Sequence, residues 1–216
     1  SIIDGTITST ATIAVDDANS DNDFDDVTDQ TVSVDTTDDD VAGFTIVELD
    51  GSTEVDESGT TDTFTVVLDA QPSDNVVIAM SSSDTGEATI SGTISFTPAN
   101  WDTPQTVTVT GVDEDIIDGD QTSTVTITIV DSISDSDFSN VADQTVSVVT
   151  TDDDVVGFTI VELDGSTEVD ESGTTDTFTV VLDAQPTSDV VLTITSDDTG
   201  EATVNSPLTF TPANWD

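Results

Sequence analysis

Three aspartates stand side by side twice in this chain, at positions 38–40 and again at 152–154, 114 residues later. Other acids recur in short fixed settings: Glu57 in "VDESG", Asp84 in "SSDTGEA", and Asp113, Glu114, Asp115 and Asp118 in "VDEDIIDGD". Carboxylates gathered without a nitrogen or sulfur donor suit a hard cation. Ca²⁺ takes about six to eight oxygen ligands in flexible geometry, whereas Zn²⁺ favours His or Cys, and the chain has neither. Lys and Arg are absent too, so 47 acids give a formal net charge of −47 that no internal salt bridge can offset. Two like charges about 5 Å apart repel by roughly 0.8 kcal/mol even in water. A compact fold therefore has to take its counter-charge from solution, and small cations are the obvious source.

The same composition excludes several functions. Recognition of DNA or RNA rests on Lys and Arg, so neither nucleic acid nor an anionic membrane surface is an expected direct partner. The chain has no His, Cys, Lys, Arg or Tyr, which removes Ser/His and Cys/His acyl transfer. A carboxylate pair of the glycosidase kind is formally open, but a crowd of carboxylates repeated along a chain reads as a metal site, and no enzyme activity is expected. Without Cys there is no disulfide scaffold. No apolar run reaches the length of a membrane helix.

The elements that must position these acids are strands. "TDTFTVVLDA" (61–70), "NVVIAMSS" (75–82), "GTISFTP" (92–98), "QTVTVTGV" (105–112), "TSTVTITIV" (122–130) and "QTVSVVTT" (144–151) alternate polar and apolar residues and are rich in Val, Ile, Thr and Phe, as half-buried strands are. Phe64, Val66 and Leu68 fall on one face, as do Val125, Ile127 and Ile129; Phe44, Phe64 and Phe96 are expected in the core. Turn signals such as "LDGS", "AQPSDN" and "SDTGE" separate the runs. Hydrophobic residues make up 34 % of the chain, and their period-two order argues against an acidic disordered tail. About seven short strands in roughly 110 residues indicate an antiparallel β-sandwich. Trp101 and Trp215, both in "PANWD", are expected at a strand edge rather than at a sugar site. The acidic loop at 16–26 and its counterpart at 131–140 vary in sequence and are expected to be solvated.

Internal repetition sets the architecture. Residue n matches residue n+114: "VTDQTVSVDTTDDD" (27–40) meets "VADQTVSVVTTDDD" (141–154), and "FTPANWD" ends both 96–102 and 210–216. Residues 1–42 are the C-terminal part of a preceding repeat, 43–156 form a complete repeat, and 157–216 are the N-terminal part of a following one. The expected fold class is all-β, with tandem antiparallel Ig-like sandwiches of about 114 residues strung end to end.

"VDESG" near the first strands, "SDTGEA" after the third, "GVDEDIIDGD" before the penultimate strand and the closing "DDDVVGF" occur in the order found in Calx-β domains, and across the whole repeat the sequence resembles that family. The resemblance implies a Calx-β-like sandwich whose acidic loops bind Ca²⁺ at the end nearest the next domain. Carried over by position, it implicates Glu57, Asp84, Asp113, Glu114, Asp118, Asp152, Asp153 and Asp154, with Asp115 beside them. The partial repeats supply Asp4 with Asp38, Asp39 and Asp40, and Glu171 with Asp198. The expected object is a segment of an extracellular, cell-surface fibre or adhesin stalk, with calcium ions at the joints and copies of itself as head-to-tail partners in a filament or continuous array. Glu48 and Asp50, with Glu162 and Asp164 in the next repeat, are placed to reach back toward a joint. A calcium-sensing regulatory module and a carbohydrate-binding surface adhesin are the alternatives.

Overall fold

The computed structural model describes residues 2–216 and is all-β, with three single-turn 3₁₀ segments and no α-helix among the described residues. The strands are β1 (Ile7–Ile13), β2 (Gln30–Thr36), β3 (Phe44–Glu48), β4 (Thr53–Asp56), β5 (Thr61–Leu68), β6 (Val76–Ser82), β7 (Ala88–Ile90), β8 (Ile94–Phe96), β9 (Gln105–Gly111), β10 (Gln121–Ile129), β11 (Gln144–Thr151), β12 (Phe158–Glu162), β13 (Phe178–Leu182), β14 (Val190–Leu192) and β15 (Leu208–Phe210). Strands β3 to β11 build two sheets, ordered β4-β11-β10-β6-β8 and β3-β5-β9-β7. All pairings are antiparallel except β4 with β11.

One core lies between these sheets. Phe64, Val66 and Leu68 of β5 face Val125, Ile127 and Ile129 of β10, with Phe44, Phe96, Phe138, Val107 and Val109 filling the space between. The outward residues of β5 and β9 are threonines in register: Thr61 opposite Thr110, Thr63 opposite Thr108, Thr65 opposite Thr106. Alternation thus puts one face in the core and a hydroxyl-rich face toward water. Trp101 packs partly buried on the core, and its carbonyl accepts the Leu68 N–H at 3.2 Å; the Trp215 carbonyl accepts the Leu182 N–H at 2.9 Å. Both tryptophans therefore close a strand edge.

The six strand runs read from alternation correspond to β5, β6, β8, β9, β10 and β11. Strands β3, β4 and β7 are short edge elements whose existence depends on their neighbours. Residues 44–72 and 158–186 have identical sequence, yet Thr53–Asp56 is a strand and residues 167–170 are not. The difference is the partner: β4 pairs only with β11, and 157–216 contains no counterpart of that strand.

Gly111 ends β9 where two backbones nearly touch. A Cβ there would overlap the Asp56 carbonyl oxygen, and the Gly111 N–H donates to the Thr60 carbonyl at 3.0 Å. Backbone atoms cannot swing aside as a flexible side chain can, so Gly111→Ala is expected to destabilise the complete repeat by about 2 kcal/mol or more. Urea unfolding of the two proteins checks this, and equal midpoints would contradict it.

Candidate metal centre

Three strands and one turn deliver acids to one end of the complete sandwich. Glu57 follows β4, and its N–H donates to the Thr151 carbonyl at 3.2 Å, which continues the β4–β11 pairing by one residue. Glu114 follows β9. Asp154 follows β11. Glu87 leads into β7, where its carbonyl accepts the Val112 N–H at 2.9 Å and the Thr150 hydroxyl at 3.4 Å.

Glu57, Glu114 and Asp154 each present a carboxylate oxygen, and these oxygens lie within 4.8 Å of one another. Both oxygens of Glu57, Oε1 of Glu114, Oε2 of Glu87 and Oδ2 of Asp154 are buried and accept no hydrogen bond. Glu57 is completely shielded, at 0 % exposure. Burial pushes its pKa up to about 7, helped by the negative charges of Asp152, Glu114 and Glu87; the nearby Asp153 N–H opposes the rise but does not reach hydrogen-bond geometry. Burial likewise raises Glu87, with Asp118, Asp84 and Asp152 adding to it. Glu114 is raised by burial and by Asp118, Glu87 and Asp154, with the Ile116 N–H acting against. Asp154 is raised by burial and by Asp152, Asp115, Asp153 and Asp113.

Buried acids need not be left in this state. Asp135 is only 5 % exposed, yet it accepts from the Ser73 N–H (2.6 Å), the Ser73 hydroxyl (2.9 Å), the Asp74 N–H (2.9 Å) and the Asp137 N–H (3.0 Å). Burial raises its pKa, but those hydrogen bonds outweigh it and the net shift is downward. The loop at 131–140 therefore carries a structural acid that ties it to residues 73–74, where sequence alone suggested only a solvated loop. The Glu57 cluster has no such donors. Buried carboxylates without protein partners call for protonation or a bound cation.

Asp152 acts as a brace. Its carboxylate accepts the Gly119 N–H at 2.7 Å and the Asp154 N–H at 2.9 Å, and these bonds, the Gly119 one foremost, lower its pKa. Gly119 has φ +76°, which favours glycine, and so turns its N–H toward the acid. Asp38 repeats this arrangement with the N–H groups of Asp4 (2.9 Å), Gly5 (2.8 Å) and Asp40 (3.0 Å). Asp38, Asp39 and Asp40 bring their carboxylates as close together as the Glu57 group.

The remaining acids singled out in the sequence are less enclosed. Asp84 is exposed and accepts the Gly86 N–H at 2.9 Å, and Asp198 does the same with Gly200. Asp4, Asp113, Asp115, Asp118, Asp153, Glu171 and Asp198 are all exposed. Asp84, Asp113, Asp115, Asp118 and Asp153 act on the buried acids through charge. Glu48 and Glu162 accept the hydroxyls of Thr53 (2.8 Å) and Thr167 (3.0 Å). Glu87 was not among the acids singled out, although it stands inside "SDTGEA". Its signal was position: it immediately precedes Ala88, which is inward-facing and buried, so the residue before a core position was carried to the rim of the sandwich.

The loop bearing Glu114 also meets the next repeat. The Asp115 carbonyl accepts the Gln185 N–H at 2.6 Å, and Ile116 forms a parallel bridge with Gln185. Ile117 joins Leu182, Ala184 and Pro186 in lining an apolar cavity. The preceding joint repeats the contact, with Ile2 bridging Gln71 and Ile3 packed on the core of the complete repeat.

No family model and no curated protein matches the chain. Among solved structures it is similar to the apo form of the Calx CBD1 domain, with TM-score 0.39 and 17 % identity over 53 % of this chain and 100 % of that one. It is similar also to domains 1–6 of the surface layer protein SbsC, with TM-score 0.38 and 20 % identity over 76 % of this chain and 20 % of that one. The major pilin subunit of Bacillus cereus matches with TM-score 0.28 and 9 % identity over 94 % of this chain and 74 % of that one. At these identities the likeness to Calx-β and other β-sandwich domains is one of fold alone.

Proposed function

We propose that the chain is a segment of an extracellular, calcium-stabilised rod: a structural array of β-sandwich repeats in which Ca²⁺ sits where one repeat meets the next. One observation carries the reading. Glu57, Glu114 and Asp154 converge with buried oxygens that no protein group satisfies, in a chain without a single basic side chain. These three residues would hold the ion, with Glu87 beside them, and the ion would supply the positive charge that makes their burial tolerable. Oxygen-only donors suit Ca²⁺.

All three acids belong to one repeat, so the ion seals the end of a bead. Its effect on the joint passes through the chain. Glu114 leads directly into Asp115, Ile116 and Ile117, which dock on the following repeat, and Asp154 leads into the short link to Phe158. Fixing both acids on one ion fixes both segments. A rod of this kind needs no catalytic group, and the chain offers none of the usual nucleophile–base pairs.

Calorimetric titration of the whole chain with Ca²⁺ tests the reading. Binding is expected, with thermal stability rising by roughly 1.4 kcal/mol at ten times the dissociation constant. Glu114→Gln combined with Asp154→Asn should weaken the affinity at least tenfold, while Asp50→Asn should leave it unchanged. Identical melting in millimolar Ca²⁺ and in EDTA would overturn the proposal.

A further inference from the structure

We infer that consecutive repeats are joined by a latch that needs no metal: the first aspartate of each triple, Asp38 or Asp152, ties together the two chain segments that cross to the next repeat. The inference stands apart from the calcium reading, because the oxygens that make the latch accept N–H groups and are not those assigned to the ion.

Two segments cross the joint before the complete repeat, residues 2–5 and the link 38–43. Ile2 forms a parallel bridge with Gln71. Ile3 and Ala42, one from each segment, pack on the core of the complete repeat. Asp38 stands between the segments. Its Oδ2 accepts the N–H groups of Asp4 (2.9 Å) and Gly5 (2.8 Å), 34 and 33 residues away in sequence, and its Oδ1 accepts the Asp40 N–H at 3.0 Å. Hydrogen bonds to an ionised acceptor are stronger than neutral ones. The covalent link alone would leave one repeat free to swivel on the other. A second contact, held at a fixed distance from the first, removes that freedom.

The following joint is built the same way. Asp152 accepts the Gly119 N–H at Oδ2 (2.7 Å) and the Asp154 N–H at Oδ1 (2.9 Å). Ile116 bridges Gln185. Ile117 and Val156, the counterparts of Ile3 and Ala42, stand together with Leu182 and Ala184. Ion and latch therefore act on one loop from its two ends, Glu114 and Gly119, through different carboxylates. In a tandem array each unit is stabilised by its interface with its neighbour. Here the interface is directional: the acidic end of one repeat supports the core of the repeat that follows, with or without an ion.

The chain has two tryptophans. In a Trp215→Phe background Trp101, which packs on the core of the complete repeat, reports the unfolding of that repeat alone. In EDTA, Ile3→Ser should lower the urea midpoint. Ile2→Thr should not, because the Ile2 side chain is exposed and its bridge is made by the backbone. Asp39→Ala removes the same charge as Asp38→Ala without touching the latch. Relative to it, Asp38→Ala should lower the midpoint and speed exchange of the Gly5 amide about tenfold. The losses from Ile3→Ser and Asp38→Ala should combine to less than their sum, because both act through one joint. The inference is overturned if Ile3→Ser unfolds at the parent midpoint in EDTA, or if the losses appear only in Ca²⁺. The second outcome returns the joint to the metal and leaves the calcium reading standing. Losses that persist in EDTA, in a protein that takes up no Ca²⁺ by calorimetry, remove the calcium reading and leave the latch.

Discussion

Glu57→Gln is expected to stabilise the protein in EDTA and to destabilise it, relative to the parent, in Ca²⁺. The reversal follows from the state of the carboxylate. Glu57 is fully buried and its pKa stands near 7, against an ordinary value of 4.5. At pH 8 without metal the ionised group therefore weighs against folding by about 3 kcal/mol. Glutamine keeps the shape, removes repulsion with Asp152, Glu114 and Glu87, and can donate from its amide to the neighbouring carboxylates. Most of that penalty should disappear, and the metal-free melting temperature should rise by on the order of 10 °C. In Ca²⁺ the parent gains an ion that the variant binds poorly, and the order inverts. Melting both proteins at pH 8 in EDTA and in Ca²⁺ gives the comparison. A Gln variant that melts below the parent in EDTA would mean that the cluster is not repulsive without metal, and the basis for a cation there would be gone.

Much of this arrangement was legible in the sequence, for particular physical reasons. Phe64, Val66 and Leu68 alternate with Thr63 and Thr65, so the buried face of β5 could be read directly. The repeat of 114 residues is plain from identical segments, and the acids at 114 and 154 follow β9 and β11, strands that alternation also reveals. What local sequence does not carry is the partner. Thr53–Asp56 is a strand and its identical copy at 167–170 is not, because a short edge strand exists only through its neighbour. Nor does residue type separate an unpartnered carboxylate from a hydrogen-bonded one. Asp152 and Asp154 are two positions apart, yet Asp152 is held by the Gly119 and Asp154 N–H groups while one Asp154 oxygen is buried without a partner. Asp135 makes the same point in reverse. It lies in an acidic loop that reads as solvated, and it is buried because donors at 73 and 74, far away in sequence, close around it.

The same cluster sets an unusual pH profile for the metal-free protein. Glu57 has a folded-state pKa near 7, above its unfolded value of 4.5. Its contribution is therefore fully present below about pH 4.5, declines as pH rises toward 7 and is absent above that. Glu87, Glu114 and Asp154 are shifted in the same direction. Asp152, whose pKa the Gly119 and Asp154 N–H groups lower from 3.8, and Asp135, where hydrogen bonds outweigh burial, act oppositely. Their contributions are present above about pH 3.8 and are lost as pH falls through their lowered values. Stability in EDTA should therefore peak near pH 4 to 5 and drop by about 3 kcal/mol or more by pH 7.5. Ca²⁺ should flatten the drop by holding the carboxylates ionised. General repulsion among 47 acids also grows over this range, so the slope of the parent alone does not isolate the cluster. The difference from Glu57→Gln does, because that variant keeps the overall charge nearly intact and loses one strongly shifted group. Its denaturation midpoint in EDTA should fall less steeply between pH 5 and 7.5, and parallel profiles for the two proteins would show that Glu57 titrates as an ordinary solvated acid.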